Sequence, residues 1–421
     1  MTGCTTKHLF PLRFAALLRL SATLGACLCL MAPAQAQQAY SLDQLITLGQ
    51  EQHPRLRAAV EQARGASAAV ETARALPNPE VEYTNGSQQA RIPGAVAGKV
   101  QGLSLAQRLD LPAQRTARIR AATAGLSAEE AQLRLSRYEL VRAIKLSYYE
   151  VLRREAEVDA SEQDLKTSEQ VHQRVSVRVN TGEAPRYDMI RADAELLNAQ
   201  KLVQSARLRV EQARGVLRNS VGNVLPTDFG LAVENEPLPS LPPLTTLEAE
   251  VLQRNAGLAR ARALTVRGRE QLGLEKSLRM PNVTLRAGFD ETPEVRSTRV
   301  GVIVTIPLWD RRRGPIGEAS AQFSRLQYEQ EQAEFDLRQQ LHSAYQRYQI
   351  GSNQVSALDS GIVRQAEAAL RVAEAAYRFG ERGILDYLDA QRSYRSARNE
   401  LIAARYEMRA ALIEIQTLHQ E

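Results

Sequence analysis

Beyond residue 36 this sequence has no cysteine. The chain of 421 residues holds three, Cys4, Cys27 and Cys29, all within its first 36 positions. A protein cut after that segment has no disulfide and no thiolate metal site. Aromatic residues are scarce, at 5% with a single Trp, which excludes a core built on large rings. The histidines beyond residue 36 are His53, His172, His342 and His419. None lies near another and none has a cysteine partner, so they read as surface or turn residues rather than zinc ligands. Methionine is equally sparse there, with Met189, Met280 and Met408. No Ser/His/Asp setting, glycine-rich phosphate loop or His/Glu metal helix is present, so neither catalysis nor a cofactor is expected. Acid pairs such as Glu129-Glu130 read as solvated helix surface. The formal charge of +6 falls to +3 once Lys7, Arg13 and Arg19 are set aside. That small surplus is spread along the chain with no basic patch or interleaved aromatics, which argues against nucleic-acid binding. After the N-terminal segment no stretch reaches the roughly 18 uncharged apolar residues of a spanning helix. If this chain crosses a membrane, it does so with strands.

What is present begins with an export signal. Lys7 and Arg13 precede the apolar stretch "LSATLGACLCLMAPA", and "AQA" follows at Ala34–Ala36. Small residues at Ala34 and Ala36 predict cleavage between Ala36 and Gln37, making residues 1–36 a signal peptide. Leu24-Gly25-Ala26 before Cys27 offers a rival lipoprotein reading, although the chain stays apolar after Cys27. Ala, Leu, Arg, Glu and Gln dominate the remainder, the composition of long helices.

The remainder is a tandem repeat. "VNTGEAPRYDMIRADAEL" at Val179–Leu196 returns 198 residues later within "YRFGERGILDYLDAQRSY" at Tyr377–Tyr394. Gly182 matches Gly380, Asp188 matches Asp386, Ala192 matches Ala390 and Ala199 matches Ala397. The stretch Glu51–Tyr83 resembles Leu252–Arg286, Pro112 pairs with Pro307, and Tyr148 pairs with Tyr345. A period of half the chain marks duplication of a whole fold unit, not a solenoid. The expected organisation is a first repeat over 37–233, a Pro-rich linker over 234–244 and a second repeat over 245–421.

Within each repeat the hydrophobic period changes. Gln114 to Asn180 contains no Pro and one Gly, with Ile119, Leu126, Leu133 and Leu140 every seven residues. The seam steps by four to Ile144 and resumes at Val151, Val158 and Leu165, a coiled-coil pattern with one stutter. Such a helix reaches about 100 Å at 1.5 Å per residue. Its counterpart is expected from Gly317 to Phe379, and each repeat closes with a second helix, near Tyr187–Val221 and Ile384–Leu418. Ahead of the long helices the period is two. Alternation predicts strands at about 79–88 and 99–111, and again at about 281–290 and 298–308. Val81 and Tyr83 lie opposite Glu82 and Thr84; Leu103, Leu105, Leu109 and Leu111 lie opposite Ser104, Arg108 and Asp110. Segments of about ten residues with one apolar face are the signature of outer-membrane strands. Four strands cannot close a barrel, and open edges are not tolerated in lipid, so pairing across chains is required. Three chains would supply twelve strands.

Signal, duplication, hairpins and long helices together resemble the TolC family of outer-membrane efflux channels. The likeness is most specific in "YRFGERGILDYLDAQ". It implies a mainly α fold with a small β part: a homotrimer with a 12-stranded barrel in outer-membrane lipid and an α-helical tunnel in the periplasm. It implies a pore constriction at Asp386 and Asp389, with Tyr377 and Arg382 linking to neighbouring helices and Asp188 pairing with Arg382 as a latch. The turns Gly182, Glu183, Ala184 and Gly380, Glu381, Gly383 are implied to dock a periplasmic membrane-fusion adaptor beneath an inner-membrane RND transporter. The local chemistry reads the same glycines as helix ends in the left-handed region, with Pro185 and the acids restarting the next helix. Asp386 and Asp389 are three apart and share a helix face, so a trimer gathers six carboxylates, a device for cation selection. "LPNPEVEY", "RLDLPAQRTARIRAA" and "TGEAPRYDMIRADAEL" resemble in particular the outer-membrane components of cobalt–zinc–cadmium efflux pumps. The same fold also serves drug or organic-solute efflux and protein secretion. An envelope coiled-coil protein would explain the heptads but not the hairpins.

Overall fold

The computed structural model describes residues 39–232 and 241–420. The expected cleavage point at Ala36 and Gln37, and residues 234–240 of the Pro-rich stretch, lie outside the described residues. In chain order the elements are β1 (Ala39–Tyr40), α1 (Leu42–Gln52), α2 (Pro54–Arg74), β2 (Glu80–Gln88), β3 (Gly98–Leu109), α3 (Pro112–Asn180) and α4 (Arg186–Val221). There follow β4 (Gly230–Leu231), α5 (Leu244–Arg254), α6 (Ala256–Ser277), β5 (Asn282–Glu291), β6 (Arg296–Thr305), α7 (Arg313–Ala357), α8 (Val363–Arg378) and α9 (Ile384–His419). The second half repeats the plan of the first down to its caps. His53 caps α2 by accepting the Arg55 N–H at 3.2 Å on Nδ1, and Asn255 caps α6 by accepting the Leu258 N–H at 3.0 Å. Each cap satisfies a donor that the first helical turn leaves open.

The long helix of the first half is continuous for 69 residues. That of the second half is not. A π-helical turn at Leu358–Ile362 separates α7 from α8, correcting the expectation of one uninterrupted helix to Phe379. Leu358 in this turn is buried against Leu401 and Ala404 of α9, and Asp359 pairs with Arg405 at 2.9 Å. Packing and the ion pair hold in place a conformation that the local sequence does not favour.

The buried seams are made of smaller residues than the heptads suggest. On α3 the positions removed from solvent include Ala121, Ala124, Ala128 and Ala131, then Leu140, Ile144, Tyr148 and Val151, then Ala160, Asp164, Ser168, Val171 and Val175. Ile119, Leu126, Leu133, Val158 and Leu165 are half-buried. The partner seam on α4 is Ala192, Glu195, Ala199, Val203, Ala206, Val210, Ala213, Leu217 and Val221, at spacings of three or four. Short side chains let two long helices approach closely along their length. Two matching cores brace the middle of the columns. Leu45, Ile144, Tyr148, Leu217 and Phe229 form one, and Leu247, Val251, Leu341, Ala344 and Ile415 form its counterpart in the second half.

The four long strands form one antiparallel sheet in the order β2-β3-β5-β6. One face carries Val81, Leu105, Ala287 and Val300 in a row, next to Tyr83, Leu103, Phe289 and Thr298. The other carries Glu82, Ser104, Gly288 and Arg299. Arg286 bonds Glu82 and Ser104 there, and Arg299 pairs with Asp290. The apolar face is open, with Val81 at 69% and Val300 at 84% exposure. An apolar face with no helical layer over it suits lipid, not water. β6 ends at Thr305 and not at 308, because Pro307 has no N–H to extend the ladder. Leu111, expected on the strand, is instead the residue before α3.

Candidate functional site: the paired helix turns

The residues expected to act lie where α3 turns into α4 and α8 turns into α9. Both turns have the same backbone. Gly182 has φ +80° and Gly380 has φ +77°. The Glu183 N–H bonds the Arg178 carbonyl at 2.8 Å, and the Glu381 N–H bonds the Ala376 carbonyl at 2.9 Å. This six-to-one closure around a left-handed glycine terminates a helix and reverses the chain. Apart from the adjoining residues of the chain, no heavy atom lies within 4 Å of where a Cβ would stand on Gly182, Gly380 or Gly383. Those turns, with exposed Glu183 and Glu381 and half-buried Ala184, are bare surface at the ends of the hairpins. Pro185 immediately precedes the first helical residue of α4, and Asp188 and Asp386 fall in the first turns of α4 and α9. Each faces the positive end of its helix.

The packing of the two turns differs. Tyr377 is 4% exposed and lies in a cluster with Val171, Val175, Ala192, Ile384, Tyr387 and Leu388. Its ring stacks on Tyr387 with centroids 5.9 Å apart, and the Arg178 guanidinium lies 5.1 Å from its centroid. Arg178 also bonds the Tyr377 carbonyl at 3.4 Å, and Arg174 pairs with Glu374 at 2.9 Å. The second turn is thereby fastened to α3. Burial pushes the Tyr377 hydroxyl above the usual tyrosine range, against the pull of Arg178, and pushes Tyr387 up to about 12. The Tyr377 hydroxyl has no hydrogen-bond partner among the described residues.

The acids face outward. Asp386 and Asp389 have side-chain exposures of 54% and 73%. Arg382 lies 3.9 Å from Asp386, and Arg392 lies 3.3 Å from Asp389. The expected Asp188–Arg382 latch is not formed within one protomer. Arg382, in the turn ahead of α9, instead lies nearest Asp386 in the first turn of that helix. Further along α9, Arg395 bonds Glu195 at 3.0 Å and Arg398 bonds Asp164 at 2.7 Å, tying α9 to α4 and α3. Burial outweighs Arg398 and holds Asp164 above the usual carboxylate range. Arg174, Arg178, Glu374 and Tyr387 were not singled out in the sequence. The Arg174–Glu374 pair spans the two halves and leaves no local signal. Ile384 and Leu388, four apart, do mark the buried face that carries Tyr387.

Comparison with known proteins gives this arrangement its context. The chain is 27% identical over 378 residues, 87% of its own length and 86% of the relative's, to the cobalt-zinc-cadmium resistance protein CzcC of Cupriavidus metallidurans. It is 27% identical to the outer membrane protein TolC of Escherichia coli over 48% of this chain and 45% of that one. Its fold matches a membrane protein of Pseudomonas aeruginosa with a TM-score of 0.80 at 19% identity, covering 90% of each chain. It also matches CusC, solved in work on transmembrane channel formation, with a TM-score of 0.78 at 18% identity over 90% of this chain and 91% of that one. The family model described as outer membrane efflux protein matches residues 45–223 and 247–419, one segment in each half, and the chain therefore belongs to that family, as an outer-membrane efflux channel.

Proposed function

We propose that this chain is the outer-membrane exit duct of a tripartite pump for divalent heavy-metal cations. In this reading three copies join β6 of one to β2 of the next and close a twelve-stranded barrel, since open edges are not tolerated in lipid. Both edge strands are free in the protomer. Exposed Tyr187, Ile190, Leu197 and Leu208 on α4, and Tyr328 and Phe335 on α7, supply apolar stripes for neighbouring helices to cover. The repeats occupy 37–233 and 245–421, in keeping with the two family segments. The bare turns at Gly182–Ala184 and Gly380–Gly383 meet a periplasmic adaptor, which couples the duct to an inner-membrane RND transporter. The duct converts no energy.

The likeness to a cobalt-zinc-cadmium resistance protein over most of both chains carries the substrate reading. Asp386 and Asp389 support it: both are exposed on one face of α9, and carboxylate rings favour cations. Growth of a strain lacking the gene, across zinc, cobalt, cadmium, nickel, copper, dyes and antibiotics, tests the substrate. Sensitivity confined to divalent metals is expected. Sensitivity to organic compounds alone would replace the metal reading with solute efflux, and a normal growth pattern with a secretion defect would replace it with protein secretion. In bilayers, Asp386→Asn with Asp389→Asn should lower the cation preference of the conductance; unchanged selectivity would remove the carboxylates from that role.

A further inference from the structure

The face of the sheet opposite Val81 and Val300 carries balanced charge. Along the four strands it holds three acids, Glu80, Glu82 and Asp290, and three arginines, Arg108, Arg286 and Arg299. Two of these acids are held by two of the arginines. Arg286 on β5 reaches over β3 to Glu82 on β2. The Ser104 hydroxyl between them accepts from Arg286 Nη2 at 3.2 Å and donates to Glu82 at 3.3 Å. Arg299 on β6 pairs with Asp290 on β5. The floor beneath these pairs is built of small residues: Gly102, Ser104 and Ala106 on β3, Gly288 on β5 and Gly301 on β6. A Cβ on Gly102 would stand 2.6 Å from Asp290 Oδ1 and from Thr84 Oγ1, and one on Gly288 would stand 2.7 Å from the Leu103 carbonyl oxygen. The glycines leave room for the charged side chains to lie over a trough of about 680 Å³. It is open to water, with the side chains of Glu82 58% and Asp290 40% exposed.

Exposed ion pairs add little to stability, so the main effect of these two is on the charge of the wall. With the apolar face toward lipid, this face lines the lumen of the barrel. Carboxylate oxygens suit hard divalent cations, and a duct conducts only what it also releases. Without their arginines, Glu82 and Asp290 would put two open carboxylates per protomer, six per trimer, on the exit path. We infer that Arg286 and Arg299 neutralise Glu82 and Asp290 on the inner wall, so that a divalent cation that has passed Asp386 and Asp389 is not held in the barrel. The two ends of the duct then do opposite things with the same residue types: acids at the constriction draw cations in, and paired acids in the barrel let them go. The inference rests on the exit-duct reading, both for the barrel and for the cationic cargo.

Aqueous Mn²⁺ is a direct probe, because its paramagnetic resonance signal is lost on binding. The full-length channel in non-ionic detergent would be titrated at low salt, in an Asp386→Asn and Asp389→Asn background that removes the acids of the constriction. Adding Arg286→Gln with Arg299→Gln should raise bound Mn²⁺ about threefold over that background. Arg286→Lys with Arg299→Lys, which keeps the charge, should bind no more than the background, with trimer yield as the folding control throughout. Arg299→Gln alone, at a side chain 75% exposed on the edge strand, covers the case in which the double variant does not assemble, and should show about half of the gain. No gain in either Gln variant would reduce the pairs to bracing and overturn the inference. An equal gain in the Lys variant would also overturn it, because the neutralising charge is still present there. A charged, membrane-impermeant thiol reagent tests the barrel reading separately, and no native cysteine lies beyond residue 36 to compete for it. In vesicles, Gly301→Cys on the inner wall should react and Val300→Cys on the lipid face should not. Apart from adjoining residues, no heavy atom lies within 4 Å of where the Gly301 Cβ would stand, so a side chain fits. Reaction at position 300 but not at 301 would overturn the barrel reading itself, whereas reaction at 301 with no gain of Mn²⁺ would overturn the neutralisation alone.

Discussion

In the first half α3 runs from Pro112 to Asn180 without a break, whereas in the second half the equivalent column is divided at Leu358–Ile362. The turns that follow have one backbone and different side chains against the core. Val179 and Met189 of the first are half-buried, while their counterparts Tyr377 and Tyr387 in the second are 4% and 2% exposed. Packing along the columns accounts for the contrast. A π turn holds one residue more than an α turn, so it rotates everything beyond it by about 100° relative to an unbroken helix. Beyond it Tyr377 packs onto α3 and α9. Duplication copied the turn: in both copies the glycine end is bare surface, and the flanking helices of both pack into one shared cluster in which the second copy contributes the larger, fully buried rings.

The largest expected effect comes from shifting the register beyond the interruption. One Ala inserted after Gly361, a second extra residue that the π turn does not absorb, should turn α8 by about 100° and expel Tyr377 from its cluster. Hydrogen exchange should then lose protection across residues 371–391 while α3 near Ile144 stays protected. Full protection of the second turn in this variant would end the rotational account. Next in size is Tyr377→Ala, which should cost about 3–5 kcal/mol locally, as for other buried aromatics. Tyr187→Ala should stay within about 0.5 kcal/mol in the detergent-solubilised protomer, as surface changes do. Equal costs would erase the contrast between the turns.

A pH effect should follow from Tyr387. Its folded pKa is raised from 10.0 to about 12 by burial, so the folded turn holds this proton more tightly than the unfolded chain. Stability is therefore unaffected below pH of about 10 and falls as pH rises toward about 12. Tyr387→Phe should flatten that alkaline loss in thermal melts; an unchanged pH profile would remove Tyr387 as its source. A small effect should be shared by both turns. Gly182→Ala and Gly380→Ala each place a side chain at positive φ in open space, at a cost of about 1 kcal/mol. Denaturant midpoints that differ clearly between them would show that the turns are not alike even in backbone.

Much of this was legible in the chain. Alternation in "PEVEYTN" and "RVGVIVTIP" marked the strands because a pleat repeats every two residues. The absence of Pro between Gln114 and Asn180 marked α3 because a helix interior needs every N–H. Gly182 and Gly380 marked the turns because few other residues adopt positive φ cheaply. These are local constraints, and a sequence states local constraints directly. The site was less legible. Asp386 and Asp389 share a face by spacing alone, whereas the contact of Arg382 with Asp386 across the turn ahead of α9 left no mark in the sequence.

The sequence by itself determined the duplication, the element types, the helix ends and the two-faced strands, since each follows from backbone chemistry within a few residues. Only the tertiary structure decided that alanines, not the heptad leucines, line the tightest seams, because burial depends on which helix approaches and how closely. It alone decided that the second column carries a π turn, because that conformation is held by Leu401, Ala404 and Arg405, more than forty residues away along the chain. And it alone decided that the two matching turns are joined through Tyr377, because its partners Val171, Val175 and Arg178 belong to the opposite repeat.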